Sequence, residues 1–114
     1  MEGGVVEDFF ENNYFIDSNE AIDLIEFFFK SELPNFKLKE KFDHGIYFGI
    51  TYVNNEVEIR LGGGRGHFEH SFKIDGKDFP LRQFDKRMDK IITASKKNIL
   101  FTLNVLKRFL KEST

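Results

Sequence analysis

The chain has 114 residues, 40% hydrophobic and 32% charged, with fifteen Phe, no Trp and no Cys. That length and balance fit one globular domain with its own core rather than a disordered chain. Without cysteine there is no disulfide, no thiolate metal site and no Cys nucleophile, which also suits a reducing compartment. No apolar run approaches the roughly 18 residues that span a bilayer, and the acidic start (Glu2, Glu7, Asp8) does not read as a secretory signal.

The net charge of −2 hides an uneven distribution. Residues 1–35 carry nine acids and one base, net −8; residues 36–114 carry ten acids and sixteen bases, net +6. Such asymmetry points to partners of opposite charge, unless the two parts neutralise each other within the fold.

In chain order, Val5, Val6, Phe9 and Phe10 have helical spacing, which predicts a short helix over 4–12. Asp17 and Glu20 then form an acidic capping pattern for a helix from about Ser18 to Ser31, with Ala21, Ile22, Ile25, Phe28 and Phe29 on its apolar face and Pro34 as its stop. From Phe36 the period falls to two. Phe36, Leu38, Glu40 and Phe42 share one face, while Lys37, Lys39 and Lys41 share the other. Ile46–Val53, Val57–Leu61 and Phe68–Ile74 follow as strands, with a tight turn at Asn54-Asn55 and a flexible connection at Gly62–Gly66.

Beyond Pro80 the pattern is helical again. It predicts two segments divided near Thr93-Ala94-Ser95, with Ser95 capping the second. The expected fold is α+β: a four-stranded antiparallel meander flanked by N-terminal and C-terminal helices, one domain over 1–114.

Candidate chemistry is sparse. His67 and His70 lie on opposite faces of a strand, so His67-Phe68-Glu69-His70 cannot converge on one metal ion. The glycine run leads into a strand, not a helix, so it does not read as a phosphate loop. No serine occupies a nucleophile turn. The sequence therefore reads as a non-enzyme without cofactor or metal. An enzyme or ligand-binding domain would have to gather His67, His70 and Arg65 around a pocket.

Nucleic-acid binding would use the C-terminal bases Arg82, Lys86, Arg87, Lys90, Lys96, Lys97, Lys107, Arg108 and Lys111; Asp85 and Asp89 among them, and a pI of about 5.9, count against it. Glu7, Asp8, Glu11, Asp17, Glu20, Asp23 and Glu26 fall within twenty residues and would present carboxylates to a basic protein partner, with Arg65 reaching out from the glycine loop.

With these features the chain resembles the small immunity proteins of bacterial contact-dependent and polymorphic toxin systems, in size, lack of cysteine, acidic pI and α+β meander. Small phage-encoded inhibitors of bacterial defence share that style. The resemblance implies a cytoplasmic protein that binds a cognate toxin domain, such as a nuclease, and occludes its active site.

Overall fold

The computed structural model describes residues 15–113. The helix expected over 4–12, with Glu7, Asp8 and Glu11, lies outside the described residues. Helix α1 spans Ser18–Glu32. Five strands follow, β1 (Lys37–Asp43), β2 (Tyr47–Asn54), β3 (Val57–Gly64), β4 (His67–Ile74) and β5 (Lys77–Asp78), in one antiparallel sheet ordered as in the chain. Two 3₁₀ segments, Leu81–Gln83 and Lys86–Lys90, lead to helix α2 (Lys96–Ser113).

Helix α1 forms where the apolar residues recur at helical spacing, and Ala21, Ile22, Ile25, Phe28 and Phe29 are its buried hydrophobics. The helix ends at Leu33, one residue before Pro34. Both helices cover the same sheet face. Phe29 of α1 stacks on Tyr52 of β2 at 3.9 Å between ring centroids. Phe109 of α2 meets Phe72 of β4 edge to face at 5.1 Å, with Phe79 and Phe84 around it. Ile50, Ile59, Leu61, Ile99, Leu103 and Leu106 fill the layer between. The thirteen Phe among the described residues are thus largely core material, with Phe15 and Phe27 left exposed.

The meander was expected with four strands. The fifth has only two residues, too few for an alternating pattern to register, and it pairs with Lys73 and Ile74 through the Asp75-Gly76 turn. The glycine run also differs from the expected loop. Gly62, Gly63 and Gly64 belong to β3 and pair with Glu69, Phe68 and His67, leaving only Arg65-Gly66 as the turn. Both turn residues have positive φ, 53° and 86°, the geometry that matches strand twist in a two-residue hairpin.

In β1 the register shifts between Leu38 and Glu40, so Lys39 is bulged. The bulge breaks the predicted alternation. Leu38 and Lys41 then lie opposite Tyr52 and Ile50 on the helix side, while Glu40 and Phe42 lie opposite Thr51 and Gly49 on the open side. As the edge strand, β1 carries Lys37, Lys39 and Lys41; Lys41 pairs with Glu26 of α1 at 2.9 Å and Lys39 with Glu58 of β3 at 3.3 Å.

At the other end of the chain, residues 81–90 are not the predicted α-helix. Asp85 accepts from the Arg87 backbone N–H at 3.0 Å, and this local bond starts a tighter 3₁₀ turn. The second predicted segment is present as α2. Ser95 Oγ accepts from Asn98 N at 3.1 Å, as an N-cap does.

Candidate functional site

Two neighbouring features sit at the end of the sheet where β1 joins β2 and β3 joins β4. The first is an apolar tip. Phe15, Ile46, Tyr47 and Ile92 are 60, 55, 46 and 56% exposed, large values for side chains of this type. Main-chain bonds tie the segments that carry Ile46 and Ile92 to the β3–β4 end of the sheet. Arg65 N donates to Ile46 O at 2.9 Å, Ala94 N to Gly66 O at 2.7 Å and Phe68 N to Ile92 O at 2.7 Å. Phe15 forms an isolated bridge with Ser95, and its ring covers Gly66. Phe15, Ile46, Asp17, Arg65 and His67 line one depression of about 290 Å³.

The second feature is a trough of about 670 Å³ on the open sheet face. The register places two rows across the strands there: Phe42, Gly49, Gly62 and Glu69 in one, Tyr47, Gly64 and His67 in the next. The Phe42 ring lies over Gly49, and the Tyr47 ring lies over Gly64, so closely that a Cβ on either glycine would collide with the ring. This is the way cross-strand aromatics shelter glycine in a sheet. Gly62 forms the floor, Phe42 and Tyr47 one wall over Gly49 and Gly64, and Glu69 and His67 the other, with Arg60, Arg65 and His70 also lining the trough.

The expected acidic surface is present in part. Asp17, Glu20 and Asp23 are exposed on or next to α1, and none has an ion-pair partner among the described residues. Glu26 differs, being taken by Lys41. Arg65, expected at the tip of a flexible connection over Gly62–Gly66, sits in a two-residue turn and shares its depression with Asp17. The structure thus brings the start of α1 and the Arg65 turn to one rim.

His67 and His70 fall on opposite faces of β4, opposite Gly64 and Leu61 respectively. Burial lowers the pKa of His70 from its ordinary value, which favours the neutral ring. Among the described residues no group of three His, Cys, Asp or Glu side chains could hold a metal ion.

The C-terminal bases do not form one free stripe. Arg87 and Arg108 both bind Asp85, at 2.6 and 3.0 Å, and hold its carboxyl well below the usual carboxylate range, the Arg87 bonds contributing most. Arg87 also stacks over Phe101 at 4.9 Å. Lys107 pairs with Glu32 of α1, joining the acidic and basic parts of the chain within the fold. No described helix is long and apolar enough to cross a membrane.

No family model, curated protein or solved structure matches the chain.

Sequence reasoning named Arg65, His67 and His70, all three of which line the trough, but missed its aromatic wall and glycine floor. Its signal is glycine at 49, 62 and 64 directly opposite Phe42 and Tyr47, and that becomes visible only once the strand register is known.

Proposed function

We propose that this chain is a protein-binding inhibitor of the immunity type, which covers the active site of a cognate bacterial toxin domain. The exposed cluster of Phe15, Ile46, Tyr47 and Ile92 at one end of the sheet carries the reading. Large apolar side chains held on a rigid backbone, with charges at the rim, are what a tight interface uses as its centre. Asp17 beside that cluster, and Glu20 and Asp23 further along α1, supply negative charge unpaired among the described residues, which suits a basic partner such as a nuclease surface. In this arrangement the aromatic and aliphatic groups set affinity, and the carboxylates set encounter rate and partner choice. A cytoplasmic site of action follows from the same reading.

The test is co-expression with the toxin-domain product of the adjacent gene, followed by co-purification and titration calorimetry at 50 and 300 mM salt. The expected result is a one-to-one complex. Ile46→Asp should abolish it, and the triple change Asp17→Asn, Glu20→Gln, Asp23→Asn should slow association while leaving the fold intact. A complex indifferent to both variants, or no complex with that product, would refute the proposal.

A further inference from the structure

Beyond the inhibitor reading, the geometry points to the open-face trough as a binding site for a short single-stranded nucleic acid segment, about two nucleotides long. Three observations converge on that chemistry.

The first is the pair of rings. The Phe42 and Tyr47 rings lie against Gly49 and Gly64, Tyr47 is 46% exposed, and the His44 ring flanks Phe42 at 5.3 Å between centroids. Both rings line the trough and give it aromatic surface on which a planar group can stack. Their two rows are one dipeptide repeat apart, roughly 7 Å, so each ring can take one base. Stacking of bases on aromatic side chains, tolerant of base identity, is the usual way an open antiparallel sheet holds a single strand.

The second is charge. Arg60 and Arg65 line the same trough, both are exposed, and neither has an ion-pair partner among the described residues. They lie five residues apart along β3 and its turn, roughly 17 Å in extended chain, which brackets both ring positions. Two free guanidinium groups match phosphates. A neutral sugar chain would leave both unused, and a peptide adding to this sheet would seek an edge, not a face.

The third is the far wall. Glu69 is exposed, without an ion-pair partner among the described residues, and lies across the floor from Phe42, placed to accept from the amino group of a stacked base; His67 faces Tyr47 across Gly64. The floor itself is glycine, so the ligand can approach the backbone closely. A Cβ on Gly62 would lie 2.7 Å from the Phe48 carbonyl oxygen, a contact that backbone cannot relieve. A side chain is therefore excluded from the middle of the floor.

The test is fluorescence anisotropy with a labelled hexauridylate RNA, a hexathymidylate DNA of equal length and an abasic hexamer. We expect saturable binding of both base-bearing strands and at least fivefold weaker binding of the abasic one. Two phosphate contacts predict a log–log salt slope of about −1.4, hence about sevenfold weaker binding at 200 mM than at 50 mM salt. Arg60→Ala should bring that slope to about −0.7. Phe42→Leu, which keeps an apolar group over Gly49, should weaken binding roughly 5- to 100-fold.

Phe42 and Arg60 stand outside the apolar tip, so these variants leave the toxin-complex test untouched. Circular dichroism establishes that each variant is folded. No saturation with either strand at 100 µM protein overturns the inference, as does equal binding of the abasic hexamer or wild-type binding by folded Phe42→Leu. Binding of maltohexaose in place of the nucleic acids would overturn it as well.

Discussion

Replacing Arg65 by glycine should make the protein more stable. Among the described residues, three non-glycine positions have positive φ: Asn55, Arg65 and Asp75. Asn and Asp tolerate the left-handed region because their short polar side chains bond locally, whereas a long unbranched side chain gains nothing there. At φ 53° Arg65 carries a cost of about 1–2 kcal/mol relative to an unstrained residue.

Glycine removes that strain but loses more chain entropy on folding, which returns about 0.5–1 kcal/mol. Arg65 is exposed and has no ion pair to lose among the described residues. The net expectation is therefore a gain of about 0–1.5 kcal/mol, whose midpoint corresponds to roughly 2–5 °C in Tm for a domain of this size. Urea unfolding followed by circular dichroism should show a higher midpoint at unchanged m. Arg65→Val, a β-branched residue in the same conformation, should move the midpoint the other way. A loss of more than about 0.5 kcal/mol in Arg65→Gly would refute the reasoning, because it would mean the side chain supports the fold. Stability gained together with weaker hexamer binding would mark a strained residue kept for contact rather than for folding.

Other substitutions and pH changes divide along equally physical lines. Gly62→Ala drives its Cβ towards the Phe48 carbonyl and should cost about 1–3 kcal/mol, whereas Gly64→Ala meets only the movable Tyr47 ring and should cost less than about 1 kcal/mol; urea midpoints compare them. Lowering the pH below the ordinary histidine value of 6.5 should progressively destabilise the fold through His70, whose folded pKa is depressed, because the unfolded chain then binds the extra proton; His70→Gln should flatten that part of the stability–pH curve. Burial first, and Glu26 second, push the Tyr52 phenol up to about 12, so its contribution is intact below about pH 10 and is lost between there and 12; ultraviolet titration should show a late tyrosinate step that Tyr52→Phe removes. Asp85, depressed by Arg87 and Arg108, contributes stability above the ordinary carboxylate range and loses it as pH falls through that range and below, a loss that Asp85→Asn should abolish in acid unfolding.

Much of the fold was legible because its patterns are local. The apolar face of α1, the stop at Pro34, the alternation in β3 and the Ser95 cap each follow from residues within a few positions of one another. The departures arise where a single backbone event changes the meaning of everything around it. The bulge at Lys39 moves Glu40 and Phe42 to the opposite face from Leu38. The Asp85 side chain competes for a backbone N–H and turns a helical pattern into 3₁₀ segments, although Leu81 and Met88 still reach the core. Glycine carries no facial preference, so Gly62–Gly64 read as a break until the ladder with β4 makes them part of a strand. The acidic surface was legible as composition, but which carboxylates stay unpaired depends on Lys41 and Lys107 arriving from distant parts of the chain.

The lysine-bearing bulge in β1 has a bearing on how this molecule can exist at high concentration. A bare sheet face invites stacking, and a straight border strand invites another copy to zip alongside; the two hazards together build fibrils. Ammonium groups and a kink along β1 deny the second route, and the opposite border is short or already occupied by β5 and residues 92–94. Among the described residues nothing covers the glycine-floored surface, and the guarded borders remove the edge-pairing half of that hazard.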